Sequence, residues 1–491
     1  MNTSSTRARA VGAATLAAGL LGAGAASAQP FEYVFGEKST VETGARRVKP
    51  VEVCPDGGFI AVGTTANSPA PNDAYLVRTK ADGSPIWEVR YDIGPGNIDG
   101  GQALAEASDG SGFIVLGTTQ KASGSPTHAY LLKVKCNGGP VWAQVYESGS
   151  QESGFDLVEA QTGDPAFGTR RGDLLVAGGA RNPAGHWDAM LFRTRANGTM
   201  IWNWRYDNNS AAEILRGLTE AKPTGGGGTG DVVASGYALN AGAARIMGYT
   251  MRVNGNTGLV GPVPQHAVVY PSADHLLFES VVELRNSAFA GELVVTGVTT
   301  GATTSLDAVL LKTKADPVSL LGAMRIGDSA ADPLGAEWAY DLHEVSNPLT
   351  IARPGDLALT GRAGAPSGSE VEAFLLVADP ASLKPYPFAG RLYGDHVGKR
   401  DWGVSVSDHK RGFIISGVSE SDFQGVSDPS DLYLIGADDA GKTNCVKEWE
   451  PRYDEIHPDP VRILPTRAAF LDPVRVEVRA ERQDTAYPNC P

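Results

Sequence analysis

The segment Asp56-Gly57-Gly58-Phe59-Ile60-Ala61-Val62-Gly63-Thr64-Thr65 returns along the chain in close copies. The next copy reads Gly112-Phe113-Ile114-Val115-Leu116-Gly117-Thr118-Thr119, and the third contains Gly172-Asp173-Leu174-Leu175-Val176-Ala177-Gly178. Each copy is a short apolar run bounded by glycine, which is typical of a buried β-strand. The leading glycines stand at positions 58, 112, 172, 230, 291, 355 and 412, with a mean spacing of about 59 residues. Self-similarity at such a fixed period indicates a repeat architecture.

The second repeat shows the strands of one unit. It predicts four strands, at residues 102–107, 113–118, 129–135 and 141–146. Asn137-Gly138 separates the last two strands, and both residue types tolerate the positive φ of a type I′ hairpin turn. Four antiparallel strands repeated seven times, without helical periodicity, predict an all-β fold. The architecture that fits is a seven-bladed β-propeller of four-stranded antiparallel blades.

Two further features complete the repeat and carry a resemblance to a known family. Asp73-Ala74-Tyr75-Leu76-Val77 follows the glycine-bounded run, and Trp87 and Tyr91 follow a turn at Asp82-Gly83. This order resembles secreted bacterial β-propeller repeat proteins, and the succession of Gly-Gly, Tyr and Trp is similar to the kelch repeat. The resemblance covers about residues 31–455 and is clearest in the first three units. It implies a propeller and export, and it points to no particular activity.

Composition agrees with a turn-rich β fold. The chain has 491 residues, of which 60 are Gly and 31 are Pro, and 42% are hydrophobic. That hydrophobic fraction is enough to bury a core, so intrinsic disorder is excluded. The formal net charge is −14, and no basic cluster is longer than a pair such as Arg46–Arg47. A chain this acidic repels phosphate backbones and anionic membrane surfaces, so we expect no nucleic-acid partner.

Residues 1–28 have the pattern of a secretory signal peptide. Arg7 and Arg9 form a positive segment, residues 11–21 are apolar, and Ala26-Ser27-Ala28 is a small-residue cleavage site. The apolar run is too short to span a bilayer, and no run of 18 apolar residues follows it. We therefore expect cleavage after Ala28 and a secreted or periplasmic protein with no membrane span.

The domain boundaries follow from the repeats. Residues 29–456 are predicted to form the propeller, and the Pro-rich residues 457–491 a C-terminal tail packed on it. Two segments are candidates for the outer strand of the last blade. Phe31–Gly36 resembles the outer strand that contains Trp87, while the last unit has its own candidate in Val446–Tyr453. The sequence leaves both candidates open.

An acidic residue opens the innermost strand in six units: Glu42, Asp99, Glu152, Glu213, Glu337 and Asp401. Because innermost strands surround the axis of a propeller, these side chains are expected near the mouths of the central channel. A ring of carboxylates there would bind a hard cation such as Ca²⁺, which takes six to eight oxygen ligands. No other cofactor is predicted. A second acid follows seven residues later in most units, at Glu106, Glu159, Glu220, Glu344 and Asp408.

The alternative is that these acids accept hydrogen bonds from backbone N–H groups at the blade junctions. We favour this architectural interpretation, because a feature repeated in nearly every unit belongs to the scaffold rather than to one site. Two interpretations also apply to the Trp-x₃-Tyr pairs of the predicted outer strands, which are Trp87/Tyr91, Trp142/Tyr146, Trp202/Tyr206 and Trp449/Tyr453. They stack on sugar rings or on a partner, or they pack against the neighbouring blade, and we favour packing.

The most polar predicted loops connect the outer strand of one blade to the inner strand of the next. Candidate binding residues in these loops are Asp92, Asn97, Asp99, Asp395, His396, Arg400, Asp401 and Trp402. His128 and His186 stand at similar places in neighbouring units, so they are further candidates, with a metal pair as one possibility. Neither belongs to a metal-ligand spacing such as His-x-x-x-His, and a solvated loop role is favoured for both. Together these residues predict a polar cleft on one face of the ring.

The four cysteines suit an oxidising compartment and allow three pairings. We favour Cys54–Cys136, because both fall on the same face of adjacent blades. We also favour Cys445–Cys490, which would connect the tail to the ring.

Function is less constrained than fold. No Gly-x-Ser-x-Gly elbow or P-loop is present, and no catalytic residue is predicted. We expect an exported, monomeric binding or structural propeller that recognises a polysaccharide, an envelope component or a protein partner through its loop face. The alternative is a secreted carbohydrate-active enzyme, a lyase or hydrolase, or a metal-dependent oxidase of the kelch type. Such an oxidase needs Tyr and His ligands that converge at the ring axis, and no motif shows them.

Overall fold

The computed structural model describes residues 30–36, 41–66, 72–94, 96–207, 212–222, 230–240, 245–260, 267–272, 274–300, 306–327, 336–364, 371–394, 400–420, 431–444, 446–449, 453–456, 461–463, 466–468, 472–476, 478–483 and 486–488. Only the backbone is described for residues 41–45, 66, 240, 449 and 453–455 and for the strands after residue 456. The predicted signal peptide and the candidates Asp395, His396, Cys445 and Cys490 lie outside the described residues, as does the side chain of Glu42.

Seven antiparallel sheets, the blades, are arranged around one axis, which confirms the predicted all-β, seven-bladed propeller. In blades 1 to 6 the first four strands follow one another from the axis outward in chain order, while in blade 7 the fourth strand comes from the N-terminus. Blade 1 contains β2 (Val41–Pro50), β3 (Phe59–Ala66), β4 (Asp73–Thr79) and β5 (Pro85–Ile93). Blade 2 contains β6 (Ile98–Glu106), β7 (Phe113–Gln120), β8 (Thr127–Val134) and β9 (Pro140–Glu147). Blade 3 contains β10 (Glu152–Glu159), β11 (Leu174–Arg181), β12 (Trp187–Thr194) and β13 (Met200–Asp207).

The remaining blades repeat this order. Blade 4 contains β14 (Ala212–Ala221), β15 (Asp231–Asn240), β16 (Arg245–Val253) and β17 (Ala267–Tyr270). Blade 5 contains β18 (Leu276–Glu283), β19 (Leu293–Thr300), β20 (Leu306–Thr313) and β21 (Leu320–Ile326). Blade 6 contains β22 (Trp338–Glu344), β23 (Leu357–Gly364), β24 (Val371–Ala378) and β25 (Gly390–Tyr393). Blade 7 contains β26 (Asp401–His409), β27 (Gly412–Ser419), β28 (Asp431–Asp438) and the N-terminal β1 (Phe31–Phe35).

The N-terminal strand closes the ring. β1 pairs antiparallel with β28, with Phe31 opposite Gly436 and Phe35 opposite Leu432. The rival candidate at 446–453 is therefore wrong as the outer strand of blade 7. Its residues Lys447–Trp449 pair with β25 of blade 6 instead, because β1 already covers the edge of β28.

The C-terminal segment adds a fifth, outermost strand to every blade. It passes blades 6, 5, 4, 3, 2, 1 and 7 in turn, opposite to the direction in which the repeats run. We call its seven strands the belt: β29 (Lys447–Trp449), β30 (Tyr453–Glu455), β31 (Val461–Ile463), β32 (Thr466–Ala468), β33 (Asp472–Val476), β34 (Val478–Gln483) and β35 (Ala486–Pro488). Each belt strand covers an outer strand whose backbone N–H and C=O groups would otherwise face solvent.

Neighbouring blades are joined by the aromatic residues of the outer strands. The hydroxyl of Tyr91 donates to the carbonyl of Gly138 in the next blade at 2.7 Å, and that of Tyr146 donates to Gly198 at 2.8 Å. The indole N–H of Trp87 donates to the carbonyl of Cys136 at 2.8 Å. The predicted packing role of the Trp-x₃-Tyr pairs is confirmed for these residues. Trp449 and Tyr453 are exceptions, since both belong to the belt.

One disulfide reinforces the first blade junction. Cys54 in the turn after β2 is bonded to Cys136 in the turn after β8, with 5.8 Å between their Cα atoms. This pairing confirms the prediction made from their common face. The Cys445–Cys490 pairing stays a prediction.

The described residues contain one short 3₁₀ helix, Pro165–Phe167. No helix in this part of the chain has the length and apolar character needed to cross a membrane.

Candidate functional site

Every innermost strand changes register at one place, where one residue is added opposite the second strand of its blade. In six blades a single residue is added: Gln102, Phe155, Arg216, Glu279, Tyr340 and Val404. In blade 1 two successive shifts flank Ala45, and Arg46 is the corresponding residue. A bulge of this kind bends the strand and redirects a side chain, and bulges are common beside binding sites. We call these seven residues the axial ring.

The axial ring lines a cavity of about 50 Å³ around the propeller axis, together with Arg47 and Asp341. A space of this size admits a few water molecules or a group of a few non-hydrogen atoms, such as a carboxylate. The lining contains three arginines, two aromatic residues and two acids. It therefore suits a small polar group rather than a whole polymer segment.

Arg47 connects distant blades and is fully engaged. Its Nη1 donates to Asp341 of blade 6 at 3.1 Å, and its Nη2 donates to Asp156 of blade 3. Asp341 also accepts hydrogen bonds from Ser280 at 2.9 Å and from Ser405 at 2.9 Å. Burial alone would raise the pKa of Asp341, but Arg47 and these donors hold it below its ordinary value. These hydrogen bonds hold the side chains of Arg47 and Asp341 in place where they line the cavity.

Arg46 and Arg216 differ in how their charges are balanced. The Nε of Arg216 donates to Glu279 at 2.8 Å, and its guanidinium lies 4.4 Å from the centroid of the Phe155 ring. Arg46 is exposed, and no hydrogen bond or ion pair reaches its guanidinium from the described residues. Burial of its immediate surroundings and the charge of Arg216 lower the pKa of Arg46. An anion in the cavity would relieve that repulsion.

A stack of side chains extends away from the cavity, beginning at its lining residue Tyr340. Trp338 stacks on Tyr340 with 5.3 Å between ring centroids and 14° between planes, and Arg362 lies 5.1 Å from the Trp338 ring. We call Arg362, Trp338 and Tyr340 the aromatic ladder. The indole N–H of Trp338 and the Nε of Arg362 are buried without a hydrogen-bond partner within the described chain. Buried donors in this state favour a ligand that carries acceptor oxygens.

The acids that open the inner strands do not form a ring around the axis. Each of those with a described environment lies at a blade junction, beside the first or second residue of the third strand of the preceding blade. Asp99 lies with Asp73, and Glu213 with Asp188, each pair within 4.8 Å through one carboxylate oxygen apiece. Glu152 lies 2.6 Å from Nδ1 of His128. A Cβ on Gly327 would contact both Asp307 and Glu337. The expected channel ring is corrected to a set of separate junction sites.

The second row of acids joins each inner strand to the turn of the preceding blade. Glu106 accepts from the backbone N–H of Glu52 at 2.8 Å, and Glu344 from those of Arg285 and Asn286 at 2.7 and 2.8 Å. Asp408 accepts from the backbone of Asn347 at 2.7 Å. Glu159 and Glu220 make the same kind of contact. The architectural interpretation is confirmed for this row.

The predicted binding residues are distributed over several junctions rather than one cleft. Asp92, Asn97 and Asp99 come together between blades 1 and 2, where Asn97 donates to the carbonyl of Ile93 at 2.8 Å. His128 is buried between blades 2 and 3, and His186 is exposed on the loop before β12. The remaining described candidates lie between blades 6 and 7. There Arg400 is exposed, Asp401 is buried and Trp402 is half-buried.

The axial ring was not among the predicted site residues, although the sequence contains a signal for it. In five units the ring residue stands three positions after the opening acid, as Gln102 does after Asp99. This position differs in residue type from unit to unit, whereas Gly or Ala precedes it in five of the seven units. A variable position within a repeated scaffold is where a specific site is built. No protein-family model matches this chain, and no curated protein matches it.

Proposed function

We propose that the protein is an exported binding propeller that recognises an acidic polysaccharide at the axial ring. The observation that carries this proposal is the exposed Arg46 guanidinium in the cavity that Tyr340, the innermost residue of the aromatic ladder, also lines. A sugar ring stacks on a flat aromatic face, and a guanidinium binds a carboxylate through two parallel hydrogen bonds. The cavity accepts the carboxylate, while the polymer lies across the mouth of the channel.

The alternative of an enzyme has less support at this site. A lyase that removes a proton from a uronic acid needs a base, but burial raises the pKa of Tyr340 above its ordinary value. The phenol therefore stays protonated at neutral pH. The nine residues that line the cavity, all described, include one tyrosine and no histidine. This donor set does not suit a copper oxidase of the kelch type, since copper prefers imidazole nitrogen ligands.

Export is part of the proposal. The Cys54–Cys136 bond is compatible with an oxidising compartment, where such bonds form and persist. The predicted signal peptide supports the same location.

A glycan array probed with the protein lacking residues 1–28 tests the proposal. We expect binding to uronic-acid oligosaccharides and weak or no binding to the same sugars after carboxyl reduction. Arg46→Ala should weaken binding about tenfold or more, because a hydrogen bond to a charged group contributes roughly 1.5–3 kcal/mol. Trp338→Ala should weaken it several-fold through loss of stacking.

Arg181→Ala is the matched control. Arg181 is exposed and lies 5.5 Å from the Trp187 ring, outside the axial cavity, so its removal should leave affinity unchanged. Binding to acidic peptides with no loss in Trp338→Ala would favour a protein partner instead. Failure to bind any acidic glycan, or full affinity in Arg46→Ala, would contradict the proposal.

A further inference from the structure

Three carboxylates from three different strands converge between blades 1 and 2. Asp73 begins β4, Asp92 lies near the end of β5, and Asp99 lies near the start of β6. One oxygen of each carboxylate lies within 4.8 Å of one oxygen of the other two. We call these residues the junction cluster. Asp99 is only 2% exposed, so its charge is removed from water.

Two oxygens of the cluster accept no hydrogen bond from the part of the chain that the structure describes. The Oδ2 of Asp99 accepts from the backbone N–H of Ile93, and the Oδ2 of Asp92 accepts from Gly96 at 3.3 Å. The Oδ1 atoms of Asp92 and Asp99 are buried, and no hydrogen bond reaches them from the described residues. Leaving a buried carboxylate oxygen unsatisfied is costly, so such an atom points to a missing ligand.

The electrostatics of the cluster lead to the same conclusion. Asp99 is buried, and Asp92 and Asp73 place two further carboxylates beside it. Arg90 on β5 occupies the position that Arg205 has in blade 3. Even with one carboxylate balanced by Arg90, the ionised cluster has two negative charges in excess, which matches a divalent cation.

Other junctions neutralise the equivalent acids with side chains of the protein. Between blades 2 and 3, His128 replaces Asp73 and lies 2.6 Å from Glu152. Between blades 3 and 4, Asp188 is contacted by Arg205 at 2.8 Å and by Asn182 at 2.9 Å, one on each oxygen. At these two junctions a histidine or an arginine of the protein lies beside the acid.

We propose that the junction cluster binds one Ca²⁺ ion, which connects blades 1 and 2. Three carboxylates supply up to six oxygens, and water completes the six to eight that Ca²⁺ takes. Nitrogen and sulfur donors, which zinc and copper prefer, are absent from the three ligands. The ion would lie on the loop face where one blade passes into the next. The Cys54–Cys136 bond joins the same two blades through the opposite set of turns.

Calorimetric titration of the chelator-treated protein with CaCl₂ tests this site. We expect one ion per chain and a melting temperature that rises with Ca²⁺ concentration, because an ion that binds only the folded state stabilises it. Asp92→Asn and Asp99→Asn should abolish both effects. Asp73→His, which installs the residue found at the next junction, should abolish binding while the protein stays folded in the absence of the ion.

Glu213→Gln is the matched control, because it alters the similar cluster of Asp188, Asp207 and Glu213. This variant should keep the wild-type stoichiometry and melting shift. The proposal is overturned if no Ca²⁺ effect is seen at about 1 mM, the weak end for extracellular calcium sites. It is also overturned if Asp92→Asn and Asp99→Asn both retain the ion. The site is independent of the axial ring, so glycan binding and Ca²⁺ binding succeed or fail separately.

Discussion

Buried charges in this propeller are balanced by different partners at successive blades. Arg193 has no exposed side-chain surface and donates to Asp173 at 3.0 Å, and Arg252 donates to Asp231 at 2.8 Å in the next blade. Lys312 donates instead to the carbonyl of Pro380 at 2.8 Å. A single buried ion pair adds little net stability, but removal of one partner leaves an uncompensated charge. Substitution of Arg193 or Arg252 by a neutral residue should therefore destabilise the fold strongly, because it leaves a buried carboxylate without its cation.

His409 gives the clearest pH dependence at the scale of one residue. It ends β26, and its ring lies 5.1 Å from that of Phe59. Burial lowers its pKa from 6.5 to about 4, with Arg411 adding to the shift and Asp408 opposing it. Between these two values the unfolded chain binds a proton that the folded chain does not. Stability should therefore fall as the pH drops from about 6.5 to about 4.

The unfolding free energy of the wild type should decrease between pH 7 and pH 4, in part because of His409. We expect His409→Gln to make this decrease smaller by about 2 kcal/mol. The comparison with the wild type cancels the titration of other groups. His186→Gln is the control, because His186 is exposed and its removal should leave the wild-type slope. An unchanged slope in His409→Gln would show that another group is responsible.

At the scale of the strand, the leading glycine of the repeat has two distinct roles. Gly112 has φ of 135°, and a Cβ placed on it would lie 2.1 Å from the carbonyl oxygen of Val134. Gly291 has φ of 93° at the equivalent place, but a Cβ there would meet nothing within 4 Å. Glycine is required at position 112 for two reasons, the positive φ and the close approach of the β8 backbone. At position 291 only the positive φ requires it.

These two glycines allow a paired experiment. Gly291→Ala should destabilise the protein by about 1 kcal/mol, the penalty of a left-handed alanine. Gly112→Ala should cost about 3 kcal/mol or more, because the strand β8 must also move away. Chemical denaturation of both variants measures the difference. Equal losses would mean that backbone conformation alone explains why glycine begins the repeat.

Much of each blade was predictable, because its strands pack on both faces and their apolar runs have clear ends. The second strand of blade 2 was predicted at residues 113–118 and spans Phe113–Gln120. Its inner strand was predicted from residue 102 but begins at Ile98, since the bulge at Gln102 breaks the alternation. The axial ring was missed for the same reason. The direction of a bulged side chain depends on register with the next strand, which one strand's pattern does not contain.

At the scale of the whole molecule, the belt was the least predictable part. Its strands have three to six residues, which is too short for a period-2 pattern, and prolines interrupt them. Each belt strand pairs with the outer edge of one blade, and all seven edges are in place only once the ring has closed. Valine alternates with charged residues at 474–479, a pattern typical of one strand, but the run is divided between β33 on blade 2 and β34 on blade 1.

Removal of residues 457–491 tests what the belt does, since it uncovers the outer strands of blades 4, 3, 2, 1 and 7. We expect the shortened protein to keep its β content by circular dichroism, because the inner four strands of each blade contain the core. Its melting temperature should fall by several degrees, and light scattering should detect self-association, since exposed edge strands pair with those of other molecules. Cys490→Ser in the full chain separates these effects from the loss of the predicted Cys445–Cys490 bond, and it should melt lower without associating. A shortened protein that stays monomeric and melts like the wild type would mean that the blades protect their own edges and that the belt serves another purpose.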